Sequence, residues 1–192
     1  MRPIMCSGDR AIPADVNDYF PIRLPPRLEL RNNTTISLCY DSAFGRNPWA
    51  PYRVLPPGIH WTSLETIGGR FATNERRMEL FQGFAAVLEA LKNAGCRRVY
   101  LNGSFTTDKP LPEDYDGCWD PEGVDVRKLD PVLLDFGNLR AAQKQKYRGE
   151  MFVAVLPNSP NDTFLEFFQI DKYTGEQKGI LGIRAAERED RT

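Results

Sequence analysis

Asp114 and Asp116 stand two residues apart, downstream of a Gly-Ser pair, Gly103-Ser104, that follows the apolar run Val99-Tyr100-Leu101. Alternate side chains of an extended chain share a face, so the spacing predicts both carboxylates on one side of a strand. Nine residues separate Ser104 from Asp114, enough for a turn and a return. Backbone N–H groups of the turn and the two carboxylates can then meet at one spot. Carboxylate oxygens are hard ligands suited to Mg²⁺, and a carboxylate pair can hold ions that bridge the phosphates of a triphosphate. Glycine permits close approach of the backbone, and the Ser104 hydroxyl with its neighbouring amides can donate to phosphate oxygens.

The elements around this segment must hold its two arms together. A strand over Arg98 to Leu101 delivers the Gly-Ser turn. Before it, Leu80, Phe81, Phe84, Leu88 and Leu91 recur at helical spacing between Glu75 and Asn93, and Gly95 supplies the stop. Thr62-Ser63-Leu64-Glu65 has the form of a capping box and predicts a short helix ending near Gly68-Gly69. After Asp120, Val124 to Phe136 reads as a helix broken at Pro131, and Leu139 to Tyr147 as a helix with a basic face of Arg140, Lys144 and Lys146. Met151 to Leu156 and Thr163 to Ile170 read as strands, with a third near Gly179 to Ile183.

Prolines at 3, 13, 21, 25, 26, 48, 51 and 56 interrupt any long element before Pro57. Residues 1–56 are therefore expected to form an extension, with an edge strand at Thr35 to Tyr40, and residues 57–192 the packed domain. A chain of 192 residues can bury a sizeable core in one such domain. Its net charge of −1 provides no global basic field for nucleic acid, so any such contact would be a local patch. Cys6, Cys39, Cys96 and Cys118 have no C-x-x-C spacing, and His60 is the sole histidine, so zinc is not expected and the cysteines read as free thiols of a reducing cytoplasm. No signal-peptide segment and no bilayer-spanning run are evident, so membrane association is not expected.

Gly103-Ser104, a nine-residue interval and Asp114-Tyr115-Asp116-Gly117 together resemble the signature of the polymerase β-type nucleotidyltransferase superfamily, a Gly-Ser turn followed by Asp-x-Asp. The wider runs LPPGIHW at Leu55 to Trp61, AGCRRVYLNGSFTTDKP, EDYDGCWD, and LEFFQIDKYTG at Leu165 to Gly175 are similar to an uncharacterised bacterial branch of small nucleotidyltransferase-like proteins. The resemblance implies an α/β nucleotidyltransferase fold, a small mixed β-sheet packed on helices. It also implies Mg²⁺- or Mn²⁺-dependent transfer of a nucleotidyl group from a nucleoside triphosphate to a hydroxyl acceptor, which could be an RNA end, a protein side chain or a small molecule. A toxin of a toxin–antitoxin pair is one setting consistent with it.

In roles carried from that superfamily, Gly103 and Ser104 would hold phosphates while Asp114 and Asp116 ligate metal, joined by a third carboxylate on a later strand. Glu166 is the candidate, because a carboxylate between Leu165 and Phe167 in an apolar strand is costly to bury without a cation. Asp171, on the opposite face of a regular strand, is its alternative. Lys144 and Lys146 could grip the triphosphate. Ser104 lies outside any G-x-S-x-G elbow, which favours phosphate binding over nucleophilic attack. Two other readings stand beside transfer: a non-catalytic protein of the same fold, and an interaction protein that works through its N-terminal extension.

Overall fold

The computed structural model describes residues 52, 54–154 and 163–185; the strand expected at Thr35 to Tyr40 lies outside the described residues. In chain order the elements are β1 (Gly58–Trp61), α1 (Leu64–Phe71), α2 (Glu75–Asn93), β2 (Arg98–Asn102), β3 (Asp116–Trp119), α3 (Ala141–Tyr147), β4 (Glu150–Val153), α4 (Phe164–Phe168) and β5 (Gly179–Arg184). Short 3₁₀ turns at Ser104–Thr106, Pro131–Leu134 and Asn138–Arg140 connect them.

Local chemistry accounts for the helices. The Ser63 side chain accepts from the Thr66 N–H and starts α1, which runs through Gly68-Gly69 to Phe71. Asn74 caps α2 in the same way at Arg77, and α2 buries Leu80, Phe84, Val87, Leu88 and Leu91 along one stripe. Pro131 opens a 3₁₀ turn capped by Asp130, so the helix expected over Val124 to Phe136 is reduced to four residues.

The strands form one mixed α/β sheet in the order β1-β5-β2-β3-β4. Strand β5 runs parallel to β1 and antiparallel to β2, β2 is antiparallel to β3, and β3 is parallel to β4. Alternation divides the core. Val99, Leu101, Trp119, Met151, Val153, Leu181 and Ile183 meet α1, α2 and α3 on one face. Tyr100, Cys118, Phe152 and Ile180 face the other way, toward Leu165 and Phe168 of α4. Leu55, which proline spacing assigns to the extension, is buried in the first cluster, and its carbonyl accepts the Gly179 N–H at 2.8 Å. Cys96 and Cys118 are free and buried. No helix among the described residues is long and apolar enough to cross a membrane.

The strand expected over Thr163 to Ile170 is instead α4. Thr163 and Glu166 close a full capping box, each side chain meeting the backbone N–H of the other residue. Three phenylalanines in five residues imitate a buried strand, but the reciprocal cap and the packing of Leu165 and Phe168 against the sheet select the helix.

Candidate functional site

Strand register brings the candidate residues into a row. Asn102 at the end of β2 pairs with Asp116 at the start of β3, and Asp116 pairs with Glu150 at the start of β4. Residues in one such row point to the same sheet face, here the α4 face. Asp114 lies two residues before Asp116, just outside the strand.

The Gly-Ser turn is held against the aspartates by fixed contacts. Gly103 has φ +82°, and a Cβ there would stand 2.6 Å from Asp116 Oδ2 and 2.7 Å from the Asp116 N. Only glycine accommodates both the left-handed conformation and that approach. The Asn102 Oδ1 accepts the Gly103 N–H at 2.8 Å, while its Nδ2 donates to the Phe168 carbonyl, tying the turn to the end of α4. Ser104 Oγ donates to the Asp114 carbonyl at 3.3 Å, so the two arms of the motif are directly joined.

The first turn of α2 clamps the same loop, a feature that sequence patterning misses. Buried Arg77 donates to the Phe105 carbonyl at 2.9 Å and to the Thr107 carbonyl at 2.6 Å. Arg76 donates to the Pro112 carbonyl at 3.2 Å and to the Glu113 carbonyl, next to Asp114. The available signal was two arginines at the start of a helix whose other residues show the apolar stripe.

A further carboxylate, Glu150, stands in the Asp116 row and is linked to Asp114 through Lys144. The Lys144 Nζ, carried on α3, stands 2.6 Å from Glu150 Oε1 and 3.2 Å from Asp114 Oδ2. Arg140 approaches the other Glu150 oxygen at 3.5 Å and lies 3.9 Å over the Phe152 ring. Burial, reinforced by the Asp114 and Glu150 charges, pushes the Asp116 carboxyl up to about 6. The Glu150 hydrogen bond, with Asp114 adding to it, holds the Lys144 ammonium above its ordinary value. The signal for Glu150 was an acidic residue opening the apolar strand Met151-Phe152-Val153, a position that meets β3 only once the parallel register is known.

Glu166, expected on a strand beside the aspartates, lies instead in α4 and outside this row. Its Oε2 accepts from the Thr163 N–H at 3.1 Å and from the Thr163 hydroxyl at 3.2 Å, and it does not line the cleft where the aspartates lie. The helical turn replaces strand alternation and turns this carboxylate to its own cap. Asp171 does line the cleft and is buried, with Oδ1 accepting the N–H groups of Tyr173 at 2.8 Å and Thr174 at 3.0 Å. Lys146 is separated from the aspartates: it pairs with Asp130, which also accepts the Tyr147 hydroxyl. Lys144 is engaged with carboxylates rather than presented as a free cation.

The cleft has a volume of about 620 Å³ and runs from Gly103, Asp114 and Asp116 to the segment Phe167 to Lys178. Its size is in the range of small-ligand sites. Among the described residues, no three His, Cys, Asp or Glu donors are preassembled around one point.

No curated protein and no solved structure matches the chain. The loop, the acidic row and the strands on both sides of them all fall within residues 47–184, which match the model of a family of unknown function, DUF6932, and the chain belongs to that family.

Proposed function

We propose that the protein is a metal-dependent nucleotidyltransferase that moves a nucleotidyl group from a nucleoside triphosphate to a hydroxyl acceptor. The observation that carries this reading is the juxtaposition of the Gly103-Ser104 turn with Asp114 and Asp116 at one edge of the cleft, with Glu150 beside Asp116 in the same sheet row. The fold supports the reading by holding the turn and the Asp114 segment with Asn102 at the cleft and with Arg76 and Arg77 from α2.

The donor set fits Mg²⁺ or Mn²⁺. Asp114, Asp116 and Glu150 offer hard oxygens, and burial together with the two neighbouring carboxylates raises the Asp116 carboxyl against the opposing charges of Lys144 and Lys178. These three residues would hold the metal, with Lys144 moving out from between Asp114 and Glu150. Once bound, the metal would supply charge stabilisation at the phosphates and a lowered pKa for the attacking hydroxyl. The chain's own part is to position: Gly103 brings the backbone to the acidic row, Ser104 offers a hydroxyl, and Asp116 or Glu150 can accept the proton of an acceptor hydroxyl.

The Lys144 ammonium among the carboxylates also favours a second reading, a non-catalytic protein of this fold in which lysine has taken the place of the metal. Incubation with each α-labelled nucleoside triphosphate, Mg²⁺ or Mn²⁺ and a cell lysate separates the two. Transfer predicts label in one acceptor fraction, abolished by Asp116→Asn. Nucleotide binding without labelled product favours the second reading, and absence of both binding and label overturns the proposal.

A further inference from the structure

The wall of the cleft opposite the aspartates is a short hairpin with its own chemistry. Ile170 bridges Gln177, the Lys178 N–H donates to the Gln169 carbonyl at 2.7 Å, and the Asp171 N–H to the Glu176 carbonyl at 2.8 Å. The Asp171 side chain fixes the turn through Tyr173 and Thr174, and the Asn102 bond to Phe168 fastens its root to β2. Gly179, next to Lys178, sits so close to the β1 side that a Cβ would stand 2.1 Å from the Pro56 carbonyl and 2.6 Å from His60 Nε2. The backbone carrying Lys178 is therefore fixed on both sides.

This wall presents a half-buried lysine and two exposed aromatic rings to the cleft. Among the described residues Lys178 makes no ion pair, unlike Lys144 and Lys146, whose ammonium groups already sit on carboxylates. Phe167 is 64% exposed and Tyr173 is 53% exposed, although both line the cleft. Two exposed aromatic rings, that of Tyr173 with the Lys172 ammonium 5.0 Å over it, beside the Lys178 cation and in one cleft with Asp114 and Asp116, complement a ligand with a flat apolar part and an anionic part that also binds metal. A nucleotide has all three features.

We propose that the segment Phe167 to Lys178 is the nucleotide-holding wall, with the Lys178 ammonium on a phosphate oxygen and the rings of Phe167 and Tyr173 against the base. This inference rests on the nucleotidyltransferase reading and assigns its substrate contacts to residues outside the Gly-Ser and Asp-x-Asp elements. Burial holds the Lys178 ammonium below its ordinary value, with Asp171 and Asp116 opposing that shift. Aromatic stacking tolerates every base, so this wall fixes the nucleotide without choosing among bases.

Calorimetry with the full chain and Mn²⁺, titrating ATP and, separately, inorganic triphosphate, tests the two halves of the wall. Lys178→Gln should weaken both ligands by about tenfold or more, the scale of a lost charge-assisted bond, while Lys178→Arg stays near wild type. The double variant Phe167→Ser, Tyr173→Ser should weaken ATP by about tenfold and leave inorganic triphosphate unchanged. Lys178→Met, which keeps the volume of the stem, replaces the glutamine variant if that melts early. Unchanged triphosphate affinity in both Lys178→Gln and Lys178→Met overturns the phosphate assignment. Equal loss of ATP and triphosphate in the aromatic variant, or no loss of either, overturns the base assignment. If wild type binds neither ligand with metal present, the nucleotidyltransferase reading itself falls; if wild type binds ATP and all variants match it, only the wall is wrong.

Discussion

At the scale of single residues, the site turns on which carboxylates share the Asp116 row. Glu150→Gln should reduce transfer by about two to four orders of magnitude, the scale of a lost catalytic or metal-binding group. Glu166→Gln should leave transfer and melting temperature close to wild type, because glutamine at this position still closes a capping box. The opposite ranking, in folded variants, would remove Glu150 from the site. Asp116 supplies a second, metal-free check. Its carboxyl binds a proton more tightly in the folded chain, at about 6, than at its ordinary value of 3.8. The folded state therefore holds more protons between those values, and the contribution of this group to stability is fully present below 3.8 and lost as pH rises through about 6. In chelator, Asp116→Asn should stabilise the protein by on the order of 1–2 kcal/mol at pH ~8 and by almost nothing at pH ~4. Thermal melts across pH measure this, and a pH-independent difference would contradict it.

At the scale of elements, α2, β2 and the Asp-x-Asp segment were legible because each carries its own signal: an apolar stripe, a short apolar run, a paired-acid spacing. The helix α4 was misread although its Thr163…Glu166 capping box was present, because Phe164, Phe167 and Phe168 carried the stronger apolar signal. Glu150 and Lys178 were missed for a different reason. Their placement arises only when β4 is set beside β3 and the hairpin is folded at the cleft, and cross-strand register is not a local property of either segment. Contact between α2 and α3 shows the same dependence. Gly83, inside α2, leaves room for the Tyr147 carbonyl, which a Cβ would approach to 2.1 Å. Helix propensity alone would favour Gly83→Ala by about 0.5–1 kcal/mol. The clash should reverse that sign and cost about 1–3 kcal/mol in denaturant titrations. The displaced carbonyl is also the acceptor for the Tyr115 hydroxyl at 2.9 Å, so the strain is directed at the residue between Asp114 and Asp116.

At the scale of the whole molecule, Leu55 and Pro56 act as part of the packed domain although the proline spacing places them outside it. Leu55 is buried, its carbonyl accepts the Gly179 N–H, and the Pro56 carbonyl meets the His60 ring at 2.8 Å. A chain beginning at residue 54 should accordingly be more stable than one beginning at residue 58 by about 2–4 kcal/mol, chiefly through loss of the Leu55 side chain. Equal melting temperatures for the two would show that Leu55 contributes little.

The placement of β5 governs how the molecule can be made. This strand lies between β1 and β2, yet it follows every other strand of the sheet in the chain. In a polypeptide emerging from the ribosome, β1 and the facing edge of β2 therefore have no sheet partner until residues near Gly179 appear. Through that interval both strands expose unpaired edges, the feature that invites pairing with other chains. Gly182 pairs with Trp61 on one side and Tyr100 on the other in the finished sheet, and its carbonyl accepts the Thr62 N–H at 2.9 Å, while Gly179 and Gly182 carry no side chains to obstruct the entering strand. Late insertion of a slender strand is thus the step on which completion of the core, and with it the closing of the cleft wall that leads into β5, depends.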